Sequence, residues 1–190
     1  MNDLQLFSAL NASAATAHWQ IAMALAIAQW LIWTVPAGLF IAWLRADDAI
    51  RKDLLELLAA VMLALALAQV VTHLWPRPRP FMLHLGLQYL PHSPDPGLPS
   101  DHVTVFWSLA CAALAIPRFR PWTLPLLGLG LVVGWSRVFL GVHFPLDVIG
   151  ALPVAIGGAA LARCLRPWMQ APYAAAVRCW HLAATYIERP

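Results

Sequence analysis

The stretch SRVFLGVHFPLD at 136–147 sets an arginine, a histidine and an aspartate between two strongly apolar runs. His143 and Asp147 are four residues apart, so a helix continuing or resuming there lets the carboxylate reach the imidazole. A carboxylate in that position fixes the tautomer and leaves the other ring nitrogen available as a nucleophile or base. Arg137 stands about two helical turns earlier, at a spacing suited to a bidentate grip on a phosphate.

Two further polar motifs interrupt the apolar sequence, PRPRPF at 76–81 and PSDH at 99–102. In PSDH, Pro99 can fix a helix start and Ser100 can cap it, leaving backbone amides free to bind an anion. His102, on the first turn of that helix, would face the same anion as a proton donor. Arg77 and Arg79 add positive charge from the neighbouring motif. Together these residues offer charge stabilisation, an in-line nucleophile and a leaving-group acid, the requirements of phosphoryl transfer.

The elements that must position them are membrane helices. Of 190 residues, 61% are hydrophobic and 11% charged, outside the range of ordinary soluble domains. The apolar runs predict helices over about 19–44, 54–74, 103–116, 123–140 and 148–165. Pro36 is tolerable as a kink within the first. The opening MNDLQLFSALNAS has no basic leader region and reads as a short amphipathic helix on the membrane, with Leu4, Leu6, Phe7 and Leu10 available for one face. The tail after Pro167 is open between a surface segment and part of another packed helix. The expected fold is therefore an all-α, polytopic membrane bundle over residues 1–190, a single domain of about five to six transmembrane helices plus an N-terminal interfacial helix.

Charge orients the bundle. Arg45, Arg51, Lys52, Arg118, Arg120, Arg163, Arg166, Arg178 and Arg189 fall on one side, and only Arg77, Arg79 and Arg137 on the other. The positive-inside rule places the first group in the cytoplasm and all three polar motifs outside it. Trp19, Trp43, Trp75, Trp122, Trp135 and Trp168 stand near the ends of predicted helices, where an amphipathic ring suits the headgroup zone. The basic residues are scattered rather than gathered into a stripe, which argues against nucleic acid as a partner. Cys111, Cys164 and Cys179 lack CxxC spacing and lie in or beside apolar runs, against a disulfide framework or thiolate metal site.

PSDH followed by SRVFLGVHFPLD resembles the second and third signatures of the type-2 phosphatidic acid phosphatase superfamily, PSxH and SRx5Hx3D. The resemblance implies that His143 is the nucleophile, that Asp147 orients it, and that His102 protonates the leaving group. It also implies phosphate contacts from Ser100, Arg137 and Arg79, with no metal and no cofactor. The first signature, KxxxxxxRP, is imperfect, because Thr72 stands where counting back from Arg79 should find the lysine. Arg77 is the candidate to supply the missing charge.

PSDH, PRPRPF and the compact chain most resemble the bacitracin-resistance type of undecaprenyl-pyrophosphate phosphatase. The implied partners are a polyprenyl pyrophosphate and membrane lipids. The implied location is the bacterial inner membrane, with the site on the periplasmic side. A phosphatidate or phosphatidylglycerophosphate phosphatase, a lipid phosphotransferase, and a non-enzymatic anion-binding membrane protein or transporter are the competing readings.

Simpler roles fit the remaining polar residues. His18, His73, His84, His92 and His181 read as packed or interfacial groups, with His84 and His92 placed nearest a headgroup. Arg118 and Arg120 read as topology signals, and Asp47, Asp48, Asp53 and Glu56 as a solvated face. Asp101 could cap the helix with Ser100, tune His102 or mark the subfamily, and is kept as a candidate site residue.

Overall fold

Apolar runs punctuated by proline and capping residues become eight α-helices among the residues described, 2–187, in a computed structural model of the protein. Arg189, counted above among the basic residues of one side, lies outside the described residues. The first helix, α1 (Asp3–Leu10), opens with a reciprocal capping box: the Gln5 amide donates to the Asn2 side chain and the Asn2 amide to the Gln5 side chain, both at 2.9 Å. Helices α2 (His18–Trp30) and α3 (Thr34–Arg45) are joined by a 3-10 turn over Leu31–Trp33. Pro36 explains that join. It lacks the N–H that would bond back to Ile32, and its ring crowds that carbonyl, so the α-helix restarts with the proline in its first turn.

Helix α4 (Asp48–Leu74) begins where Asp47 accepts the Ile50 amide at 2.7 Å, six residues earlier than the apolar run alone indicates. Next come α5 (Asp101–Ala115), a 3-10 turn over Pro117–Trp122, α6 (Thr123–Phe139), the short α7 (Pro145–Ile149) and α8 (Ala151–Ile187). Four helical segments, His18–Arg45, Asp48–Leu74, Pro117–Phe139 and Pro145–Tyr186, are long and apolar enough to cross a bilayer, and α5 is a shorter apolar helix. The chain is an integral membrane protein. With 15 residues, α5 rises only about 22 Å, less than the roughly 30 Å of a bilayer's hydrocarbon core.

That short helix is central. It packs against α4, α6 and α8, and its Val103, Phe106 and Ala110 are fully buried. Small residues bring the long helices together: a Cβ on Gly158 of α8 would lie 2.5 Å from the Ala64 backbone of α4. Gly150 instead approaches Leu98, in the loop before α5.

A cap closes the end of the bundle that carries the three polar motifs. It comprises α1, the proline-rich segment 75–100 and the turn between α6 and α7. The Asn11 side chain donates to the carbonyls of Leu87 (3.0 Å) and Phe139 (3.1 Å), and the Tyr89 amide donates to Leu140. Gly141 turns the chain out of α6 at φ +80°, with the Leu87 carbonyl 2.2 Å from where a Cβ would stand. Only glycine meets both demands. Helix α1 is amphipathic in use: Phe7 is buried against Phe144 with ring centroids 5.3 Å apart, whereas Leu4 and Leu10 stay exposed.

Two expectations change at the opposite end. The tail left open by sequence continues as helix to Ile187, with Pro167 and Pro172 inside it. His181 meets Asp48 at 2.8 Å and Arg166 meets Asp53 at 3.0 Å. The fifteen residues between Arg166 and His181 rise about 22 Å, whereas the five between their partners rise about 8 Å, so the tail leans across the bundle end. Pro167 and Pro172 lie in this part of α8, each without an N–H to bond back one turn. Asp53 and Glu56, expected on a solvated face, are buried in an ionic cluster with Arg118, Arg163 and Arg166. Burying a carboxylate is tolerable there because α8 returns with guanidinium partners.

Candidate active site

The three motifs meet under the cap. His143 and Asp147 are 2% and 0% exposed, and His143 Nδ1 lies 3.4 Å from Asp147 Oδ2. Their contact is not made along a continuous helix, as their spacing alone would allow. The α6 helix stops at Phe139, His143 lies in the turn, and Pro145 starts α7. Asp147 occupies the third position of α7, where its Oδ2 also accepts the Phe144 amide at 2.8 Å. One carboxylate thus caps its own helix and faces the imidazole.

Arg79 settles the ring's tautomer. Its Nη1 lies 2.9 Å from His143 Nε2, and a guanidinium has no lone pair to offer. Nε2 must therefore be the acceptor, leaving the proton on Nδ1, toward Asp147. Arg79 is itself held by the Asp95 carbonyl and carboxylate, both 2.9 Å from Nε, and by the Val142 carbonyl, 3.1 Å from Nη1. Burial drives the His143 pKa well below the ordinary histidine value, and the positive charges of Arg137 and Arg79 push the same way. At neutral pH the ring is uncharged, and its Nε2 lone pair accepts from Arg79.

Ser100 begins α5, but its hydroxyl makes no capping bond. It is wholly buried, and its Oγ has no hydrogen-bond partner. The position is fixed instead by the backbone: the Ser100 amide donates to the Asp147 carbonyl at 2.9 Å, and its carbonyl accepts the Thr104 amide. Arg137, in the last turn of α6, is 4% exposed, and its Nε is likewise buried and unpartnered. A buried donor left without an acceptor costs about 1–3 kcal/mol, so both groups are candidates to hold something bound.

His102 is half-buried on the first turn of α5, within the electrostatic reach of Arg137, His143, His92 and Arg79. Asp101 beside it is exposed, and its charged neighbours are Arg79, Asp95 and Arg137. Arg77 takes a different position from the other arginines. Its Nη1 donates to Asp147 Oδ1 at 2.8 Å, its Nη2 pairs with Asp3, and the guanidinium lies over the Phe144 ring at 4.5 Å. It thus supports the far side of the aspartate that faces His143.

The cluster also contains residues to which the sequence reading assigns no site role, His92 being read as an interfacial group. The His92 ring stands edge-on to His143 at 6.4 Å, and burial lowers its pKa. Gly97 lies so close that a Cβ would come within 3.1 Å of both Arg79 Cγ and Asp147 Oδ2. Its position between two prolines, Pro96 and Pro99 in the same loop, was the available signal. Asp95 and Asp3 carried none beyond their charge.

Residues 53–171 match the PAP2 superfamily. The chain belongs to that superfamily. Among its PAP2 relatives, YbjG of Escherichia coli (strain K12) is 39% identical over 150 residues, covering 79% of this chain and 75% of that protein. The undecaprenyl-diphosphatase BcrC of Bacillus subtilis (strain 168) is 36% identical over 114 residues, covering 60% of this chain and 58% of BcrC. The fold is similar to a solved one: the crystal structure of Aquifex aeolicus LpxE superimposes with a TM-score of 0.69 at 21% identity, over 84% of this chain and 93% of that one.

Proposed function

We propose that this protein removes the terminal phosphate of undecaprenyl pyrophosphate, producing undecaprenyl phosphate and inorganic phosphate. The observation that carries the reading is the pair of buried, unpartnered donors, Ser100 Oγ and Arg137 Nε, in the same site as an uncharged His143. The name of the BcrC relative supports the pyrophosphate substrate. The excess of lysine and arginine at the opposite end supports a bacterial inner-membrane location with the site on the periplasmic side.

In the first step the bound phosphate draws Arg79 away from Nε2, the freed Nε2 lone pair of His143 attacks the terminal phosphorus, and the bond from phosphorus to the bridging oxygen breaks. The departing lipid phosphate takes a proton from His102, whose protonated form the negative charge of the bound pyrophosphate favours. Ser100, Arg137 and the first amides of α5 hold the phosphoryl oxygens, which carry more charge in the transition state than in the substrate. Asp147 stabilises the positive charge that appears on the phosphorylated imidazole. In the second step water attacks the phosphohistidine, returns its proton to His102 and releases phosphate. The lipid chain stays in the bilayer or between helices throughout.

Purified protein in detergent and chelator, offered undecaprenyl pyrophosphate, phosphatidate and phosphatidylglycerophosphate side by side, should prefer the pyrophosphate. His143→Ala should lower turnover by about four orders of magnitude or more, as loss of a nucleophile does elsewhere. Preference for the monoesters would redirect the substrate assignment. Continued phosphate release by His143→Ala would remove the nucleophile assignment.

A further inference from the structure

Helix α1 precedes the segment matched by the family, yet it reaches the catalytic aspartate through a single side chain. We infer that Asp3 is a positioning residue for the reaction, acting through Arg77 on Asp147 and His143. The inference rests on the proposed role of His143.

The contacts form a closed ring. Asp147 presents Oδ2 to the Phe144 amide and to His143 Nδ1, and Oδ1 to Arg77 Nη1 at 2.8 Å. The other arm of the Arg77 fork pairs with Asp3 Oδ2. Asp3 Oδ1 then accepts the Leu146 amide at 2.9 Å, on the first turn of the helix that carries Asp147. That amide would otherwise be one of the free donors at a helix start. A planar guanidinium held at both ends cannot swing, and Phe144 beneath it is held in turn by Phe7.

The ring has an electrostatic consequence as well as a geometric one. With Asp147 as its only carboxylate, Arg77 would neutralise the charge that faces His143. Shared between two carboxylates, it leaves the group net negative. That charge remains available to stabilise the imidazole as it accepts the phosphoryl group. Asp3 therefore lets one arginine orient the aspartate without cancelling it.

The test compares Asp3→Asn, Asp3→Glu and Phe7→Ala in the full chain. Readouts are steady-state turnover of undecaprenyl pyrophosphate, trapped phosphohistidine and thermal unfolding. Asp3→Asn should lower kcat about tenfold, as loss of an outer partner typically does, with KM within about twofold. The rate of phosphohistidine formation should fall in parallel, and Asp3→Glu should recover most of the loss. Phe7→Ala loosens the same helix without touching its charge, so it should lower the unfolding midpoint more than it lowers kcat.

A parent kcat in Asp3→Asn overturns the inference. So does a kcat loss that tracks the unfolding midpoint equally in Asp3→Asn and Phe7→Ala and is not recovered by glutamate. If His143→Ala is inactive while Asp3→Asn is unimpaired, this inference alone fails. If His143→Ala is active, the reading beneath it fails.

Discussion

The two ends of the bundle solve the same problem differently. Each buries acidic and basic side chains among apolar helices, where an isolated charge is expensive. At the basic end, Asp53 is gripped by Arg118 (3.1 Å) and Arg166 (3.0 Å), and Glu56 by Arg166 (2.8 Å) and Arg163 (3.5 Å). The closest of these, Arg166 to Glu56 Oε2, is an ion pair at an angle poor for a hydrogen bond, and the nearby Tyr173 hydroxyl is left unpartnered. Still, each carboxylate there has more than one cation. At the other end the unpartnered atoms include donors on two candidate site side chains, Ser100 Oγ and Arg137 Nε, in the cluster that holds an uncharged His143. Reciprocal charge pairing reads as structural. Buried donors without a partner, beside a neutral histidine, fit the proposed binding site whose last partner is the substrate.

Removing those donors should separate the two ends most sharply. Arg137→Ala should reduce kcat/KM about a thousandfold and Ser100→Ala about a hundredfold, the range seen when transition-state donors are deleted. Ser100→Ala should not lower the thermal midpoint, because deleting an unpaired buried hydroxyl relieves its desolvation cost. A Ser100→Ala protein that unfolds earlier but turns over normally would break the comparison. Arg166→Ala should do the reverse. It removes one cation from both buried carboxylates while Arg118 and Arg163 remain, so unfolding should be easier by about 2 kcal/mol, with kcat of the folded protein within about twofold. Denaturant titration beside turnover measures both.

The same contrast explains what could be read from the sequence. The site motifs were legible because each packs its chemistry into a few residues, PSDH and SRVFLGVHFPLD, at ends of apolar runs that length alone marks as helices. The spacing of His143 and Asp147 showed that they meet, but not how. Gly141 and Pro145 replace the continuous helix with a turn and a cap, because the carboxylate has a backbone amide to satisfy as well. Asp53 and Glu56 were misread because RADDAIRKDLLELL looks locally like a solvated helix start, and their partner Arg166 returns more than a hundred residues later. Asp3 was invisible for the same reason, since its contact to Leu146 spans 143 residues. Local motifs announce chemistry, whereas the pairing of isolated charges depends on which helix comes back beside which.

The smallest effect sharpens the comparison further, because it reads the field at one end alone. The His143 pKa is lowered by burial first and then by the Arg137 and Arg79 charges, so the folded protein favours the neutral ring. As pH falls through the ordinary histidine value near 6.5, the nucleophile should remain unprotonated, and the acid-side loss of kcat/KM caused by its protonation should begin lower. The substrate phosphates also titrate in acid, so the informative quantity is the displacement between variants on one substrate. Arg79→Gln removes one guanidinium from beside the ring and should move the acid limb upward, toward the ordinary value. Arg166→Ala removes the same charge from the far end and should leave the limb in place, because the bundle separates it from His143. Equal displacement in both variants would mean that the histidine responds to the net charge of the protein rather than to the two arginines beside it, and the electrostatic distinction between the ends would be lost.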